Sequence, residues 1–463
     1  MKTRREKDSL GEKEIPESLY YGIHTTRSIE NFPISGLKVP AEIIQAIALL
    51  KLSCAKANEK QKKLAKNKAD SIVKAAREVI GYKFSDQFPI DIFQAGSGTS
   101  TNMNVNEVIA NRANELSGGK KGDKKLIHPN DHVNMGQSTN NIFPSSIRVA
   151  SILLLEKLFD HLRLYIKALK EKGKEFDHIV KSGRTHLQDA VPIRLGQVFS
   201  AFAYSAEKDL KKIQEAAKYV KELGAGGNAV GTGINTKKGF RDLIIKYLNK
   251  EIKKKFFSVT GNGIEATHTI TDLSHLSAAL RSLAIDAGRV CNDLRLMSSG
   301  PNTGINEIDL PPVEPGSSIM PGKINPSICE AVNMACYKVI GNDSTVTCCA
   351  NAGQFELNVT MPVTGYCLIE TIKILTGAIE VLTNKCIKGI EANETVCKKY
   401  LEASPSLATF LNPVLGYDKA SEIVKSAIKK GRTIKEELLK EKIMTEEEVD
   451  RIFNPVCLTS PKP

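Results

Sequence analysis

Gly316-Ser317-Ser318-Ile319-Met320-Pro321-Gly322-Lys323-Ile324-Asn325-Pro326 places two hydroxyls and a lysine on a stretch punctuated by Gly and Pro. Such a loop offers backbone N–H groups, a fixed positive charge and an ionisable oxygen together, the set needed to abstract a proton beside a carboxylate. It does not have the spacing of a nucleotide loop. Five residues separate Gly316 from Gly322-Lys323 where a phosphate-cradling loop has four, and Ile324 stands where a Ser or Thr is required. Gly, Ser and Pro are also the residues of an ordinary turn.

Three further polar segments accompany it. Gly96-Ser97-Gly98-Thr99-Ser100-Thr101-Asn102-Met103-Asn104 lacks the lysine of a phosphate loop and follows no convincing strand. His128 to Asn140 is dense in neutral hydrogen-bonding groups; His128 and His132 are four apart, but Pro129-Asn130-Asp131 between them reads as a turn, which argues against a metal pair. The last is Gly183-Arg184-Thr185-His186-Leu187-Gln188-Asp189-Ala190. Each alone could be a capped helix start, and a lone His186 is more often a structural histidine than a catalyst. Four such segments in one chain point to a shared site.

The elements that must position them are helical. Ile43, Ile47, Leu50 and Cys54 recur at helix spacing, as do Ile152, Leu155, Phe159, Leu162, Ile166 and Leu169. Further helices are predicted over about 195–223, 266–297, 327–349 and 362–386, separated by breaks at 117–119, 224–228 and 301–326. Helices of this length imply a mainly all-α bundle architecture. Thr433 with Glu436 and Thr445 with Glu448 have capping-box spacing, and Gly431 sits where a helix would end. The expected domains are 1–137, mostly helical; 138–390, a central long-helix bundle; and 391–463, a small helical domain.

Composition narrows the function. The 463 residues, 41% hydrophobic, suffice for more than one core. The net charge of +13 is Lys-rich, yet no nucleic-acid module or interleaved aromatics accompany it, so no nucleic-acid partner is expected. A positive field would still favour encounter with a small dianion. Ten cysteines without metal-ligand spacing read as reduced thiols, and neither a membrane span nor a secretory leader is recognisable. A cytoplasmic protein without metal or cofactor is expected.

Taken together, the four segments resemble the fumarase/aspartase superfamily, from about Arg5 to about Asn454, a start that leaves no room for a cleaved leader. Gly316 to Pro326 matches its signature closely. The resemblance implies three mostly helical domains and a homotetramer whose central domain pairs with three partner subunits, with active sites assembled from three of them. Gly98-Thr99-Ser100, His132-Val133-Asn134, Gln137-Ser138-Thr139-Asn140 and Ala352-Gly353-Gln354-Phe355-Glu356-Leu357-Asn358 follow the aspartase pattern rather than that of class II fumarases. Asn141, Val198 and Asn302 depart from both, standing for an Asp, a Glu and an Arg.

The implied reaction is anti-elimination of ammonia from L-aspartate to give fumarate, through an enediolate-like dianion. The resemblance assigns Ser317 as base. Thr99, Ser138, Thr139 and Ser318 would hold the β-carboxylate and Lys323 and Asn325 the other carboxylate. Asn140, Thr185 and His186 would face the amino group, with Glu330 orienting His186. A region at His128, Asn130 and Asp131 resembles a second anion site of fumarases. The alternatives are a class II fumarate hydratase and a non-catalytic relative; retention of Ser317, Lys323, Asn325, Thr99, Asn140 and His186 together argues against the latter.

Overall fold

The computed structural model describes residues 2–454 and 458–460. The chain folds into two compact units, one of Met1–Phe159, Lys211–Ser282 and Tyr337–Leu375, the other of Asp160–Leu210, Leu283–Cys336 and Thr376–Pro463. Both are mostly helical. The divisions fall inside five long helices, Thr139–Glu175, Leu195–Val220, Thr271–Met297, Ser327–Asn351 and Met361–Lys385. Four of these run within a few residues of their predicted limits, because apolar periodicity without internal breakers is read locally. The helix predicted from about residue 266 starts at Thr271, after a separate turn at Glu265–His268.

In the first unit, helix Ala41–Lys60 is the centre of packing. Pro40 supplies its N-cap backbone, Glu42 sits in the positive first turn, and no Gly or Pro interrupts it. The stripe Ile43, Ile47, Leu50 and Cys54 predicts one buried face. The structure buries Ile44, Leu49 and Leu52 as well, because Lys66–Ile80 and Phe240–Glu251 both pack against the helix. At roughly 1.5–3 kcal/mol for each fully buried Leu or Ile, this helix is a main source of the unit's stability.

A buried carboxylate organises the entry to this unit. Glu107, on helix Thr99–Leu116, accepts hydrogen bonds from the N–H groups of Gly22 (2.8 Å), His24 (2.8 Å) and Thr25 (3.1 Å) and from the Thr25 hydroxyl (2.7 Å). These donors begin helix Ile23–Asn31, whose unpaired amides need an acceptor. Burial nevertheless raises the Glu107 pKa, against the pull of those donors.

In the second unit, strands Val180–Thr185 and Gln188–Arg194 form an antiparallel hairpin whose pairing Thr185↔Gln188 leaves His186-Leu187 as a two-residue turn. The chain end has an apolar cluster of its own, including Leu407, Leu411, Ile423, Leu438, Val449 and Phe453. Both expected capping boxes are formed, and Gly431 takes the left-handed conformation (φ 62°) at a helix end.

The mainly all-α expectation holds, and the described residues add four two-stranded sheets that the sequence reading did not locate. The first strand reads Thr-Arg-Arg-Glu-Lys-Asp, which has no apolar alternation to announce it. Its hairpin is secured instead by side chains such as Arg4, which donates to the carbonyls of Pro16 (3.1 Å), Leu19 (2.8 Å) and Tyr21 (2.7 Å).

Glu107→Ala strands three amides and a hydroxyl at once. With about 1–3 kcal/mol for each buried unsatisfied group, the first unit should be destabilised by about 3 kcal/mol or more. Thermal unfolding followed by circular dichroism should shift down by several degrees; an unchanged transition would refute this role.

Candidate active site

Two helix N-termini meet in the first unit. Helix Thr99–Leu116 starts after Ser97 and Gly98, both at positive φ (64° and 88°), and a side chain at Gly98 would overlap the Phe143 ring. Phe143 lies on helix Thr139–Glu175, so this close approach brings the two starts together. Ser97 Oγ lies 3.2 Å from Asn140 Oδ1, and Asn102 Nδ2 donates to Thr139 Oγ1 at 3.0 Å. Thr99 thus stands at one positive helix end and Ser138, Thr139 and Asn140 at the other, a setting that favours carboxylate charge.

Each side chain there has a defined local task. Ser138 Oγ accepts from the Asn140 N–H at 3.3 Å, as an N-cap does. Asn140 Nδ2 donates to the Ala229 carbonyl at 2.8 Å, which fixes its amide. Pro144, four residues on, cannot donate to the Asn140 carbonyl as a helix interior residue would. The helix therefore starts with an acceptor that it does not consume. Thr99 Oγ1 bonds only weakly, at 3.3 Å, to the Gly96 carbonyl.

In the second unit the loop Gly316 to Pro326 closes on itself. Gly316 N–H donates to the Lys323 carbonyl at 3.0 Å, and Asn325 Nδ2 donates to the Gly316 carbonyl at 2.6 Å. Inside this ring Ser317 Oγ accepts from the N–H groups of Ile319 (3.2 Å) and Met320 (3.1 Å). An oxygen that already receives two amide donors is suited to carry negative charge. Lys323 is exposed and makes no ion pair among the described residues, so its charge is available. Ser318 is exposed as well.

Thr185 and His186 lie on the hairpin, not at a capped helix start, the reading open to that segment taken alone. His186 and Leu187 have φ of 55° and 59°, a conformation that costs energy for both residue types. Both are exposed, Leu187 at 72%. The hairpin is anchored by Glu307, which pairs with Arg184 (2.7 Å) and Lys181 (3.1 Å) while fully buried. Glu330 lies 3.9 Å from Arg295 in this single chain, and among the described residues it makes no hydrogen bond to His186.

The His128 segment forms a π turn over Pro129–Val133. His128 Nδ1 accepts from the N–H groups of Asn130 and Asp131, and burial together with the nearby Lys68 holds the His132 pKa down. A cavity of about 110 Å³ beside it is lined by Glu6, Asp8, His24, Glu107 and His128, and none of the expected substrate-binding residues lines it. Among the described residues no group of three or more His, Cys, Asp or Glu could hold a metal ion, and no helix is long and apolar enough to cross a membrane.

The chain as a whole is similar to known proteins. A family described as "Lyase" matches residues 11–341, and one described as "Fumarase C C-terminus" matches 407–460. The chain belongs to the fumarase/aspartase superfamily. It is 44% identical over 458 residues to the aspartate ammonia-lyase of Bacillus subtilis, covering 99% of this chain and 96% of that protein. It is 43% identical over 466 residues to the class II fumarate hydratase of Halalkalibacterium halodurans, covering all of both. A solved fumarate lyase:delta crystallin from Brucella melitensis superposes with a TM-score of 0.96 at 43% identity, over 99% of this chain and 100% of that one. This is an enzyme of the lyase family.

The three departures from the superfamily pattern have distinct settings. Asn141 is fully buried and donates to Thr267 Oγ1 at 2.7 Å, so it supports the helix start from beneath. Val198 is half-buried and Asn302 exposed. Sequence reasoning missed Lys51, which donates to Asn134 Oδ1 at 2.6 Å from a fully buried position. Its signal was present as a single charge in Leu49-Leu50-Lys51-Leu52, mid-helix and flanked by apolar residues.

A Cβ at Gly316 would overlap the Lys323 carbonyl, which closes the loop. Gly316→Ala should therefore open the ring and speed protease cleavage within residues 317–323 relative to wild type. Equal cleavage rates would show that the ring does not depend on this close approach.

Proposed function

We propose that the chain deaminates L-aspartate to fumarate and ammonia, a carbon–nitrogen lyase reaction, with Ser317 as the base. The observation that carries this reading is the Ser317 oxygen receiving two backbone N–H groups inside a closed loop. As an alkoxide it removes the C3 proton. The electron pair moves onto the neighbouring carboxylate as an enediolate, and the C–N bond then breaks with loss of ammonia. The dianionic carboxylate is met by Thr99, Ser138, Thr139 and Ser318, on the helix starts and the loop. Neutral donors and helix dipoles stabilise it more than they stabilise the substrate monoanion, which is what lowers the barrier.

Lys323 and the remaining N–H of Asn325 hold the other carboxylate. Asn140, Thr185 and His186 accept from the amino group, and Glu330 orients His186 across a subunit boundary. The composite site belongs to a homotetramer in the cytoplasm, with domains at 1–137, 138–390 and 391–463. Ile319, Met320 and Ile324, exposed at 82%, 50% and 57% in the single chain, support burial of this loop by other subunits. The apolar cluster at the chain end supports a separate third domain.

A second reading, hydration of fumarate to L-malate, is favoured by the full-length similarity to a class II fumarate hydratase. The markers at Thr99-Ser100 and Ser138-Thr139-Asn140 favour aspartate.

Absorbance of fumarate's conjugated bond, with L-aspartate and L-malate offered in parallel, separates the two. Fumarate is expected from aspartate; formation from malate alone would replace the first reading by the second. Ser317→Ala should lower kcat by about 10²- to 10⁴-fold, the usual range for a positioned acid or base, with the tetramer intact by light scattering. Lys323→Ala should chiefly raise KM, and an unchanged KM would remove Lys323 from the carboxylate role.

A further inference from the structure

Lys51 is an ionisable amine in the protein interior with no acidic partner among the described residues. Its side chain is fully buried, and among the described residues it forms no ion pair. A lone buried charge is costly, so its retention calls for a reason. Burial pushes the Lys51 ammonium down to about 7. Cys54, on the same helix, is the ionisable group acting on it, and burial pushes that thiol up to about 12, so it supplies no counter-charge at neutral pH. Asn134, its hydrogen-bond partner from another element, is neutral.

The Gln137 carbonyl can only accept, so it takes the Asn134 nitrogen and leaves the Asn134 oxygen to receive Lys51 Nζ at 2.6 Å. This settles the orientation of the Asn134 amide, whose Nδ2 donates to the Gln137 carbonyl (3.2 Å), just before Ser138. The same Asn134 oxygen receives Asn102 Nδ2 at 3.4 Å, so Asn102 also presents nitrogen to this side. That nitrogen donates to Thr139 Oγ1 at 3.0 Å. Asn102 Oδ1 is left buried without a partner, a cost that the opposite amide orientation could relieve only by turning an oxygen toward Asn134 Oδ1. Thr139 Oγ1 is thereby made an acceptor within the protein, and its own proton remains free to be donated.

We propose that Lys51 is a positioning residue of the carboxylate subsite: through Asn134 and Asn102 it fixes the Thr139 hydroxyl as a donor toward the substrate carboxylate. The proposal rests on the reading of the reaction given above. It assigns to a residue outside the four polar segments the polarity of one of their hydroxyls.

The test is a double-mutant cycle on the full-length protein, with kcat and KM for L-aspartate measured from fumarate absorbance. Lys51→Met, of similar volume, should lower kcat/KM by about a hundredfold, as loss of one oriented donor does. Its melting temperature should equal or exceed that of wild type, since a buried charge is removed. Thr139→Val should cause a similar loss. The double variant should be no worse than either single one, because Lys51 acts through that hydroxyl. A wild-type kcat/KM in Lys51→Met, or losses that multiply in the double variant, would overturn the proposal. If Lys51→Met does not fold, Lys51→Gln is read in the same cycle, with the same non-additivity required. A wild-type protein that forms no fumarate from aspartate would instead overturn the underlying reaction, a result distinguishable from active wild type with an indifferent Lys51.

Discussion

The proposed reaction depends on holding negative charge, for the most part with neutral donors. The first unit meets that constraint by bringing the starts of two helices together, at Thr99 and Thr139, so that two sets of unpaired amides and two dipoles share one place. The approach requires Gly98 against the Phe143 ring and is held by the Asn102–Thr139 hydrogen bond. Neither helix start has a charged side chain in its first turn, so the helices themselves are the source of the field.

That arrangement costs stability nearby. Among the described residues Ser100, Asn102, Asn104, Asn106 and Asn141 each have a buried polar atom without a partner, and Lys51 is buried without an ion pair. The cost is offset by the packing of Ala41–Lys60, which is buried on nearly all sides, and by Glu107, which satisfies four donors at once. A polar network of this density orients its members more sharply than an apolar core would, since each amide has one arrangement that satisfies its neighbours.

In the second unit the proposed reaction requires an oxyanion stabilised on a loop. The ring closed by Gly316, Lys323 and Asn325 spends backbone groups on itself, and the two amides that remain within reach point at Ser317. His186 is held at positive φ by the two-residue turn of a hairpin anchored through Glu307. In both places a polar side chain is presented by backbone geometry that few alternatives satisfy.

The helices, the capping boxes and the four polar segments were legible in the sequence, because periodicity, cap spacing and turn residues are local properties. The hairpins were not, since strands such as Thr3–Asp8 carry no alternation and depend on distant carbonyls for their partners. Lys51 could be seen as a charge in an apolar run, but not as a member of the site. Its role depends on Asn134 and Asn102, residues 83 and 51 positions away, arriving with one amide orientation. By itself the sequence determined which stretches form helices and which polar segments could offer groups for chemistry. Only the tertiary structure decided which donor faces which acceptor, because a hydrogen bond's direction is set by all the groups that close around it.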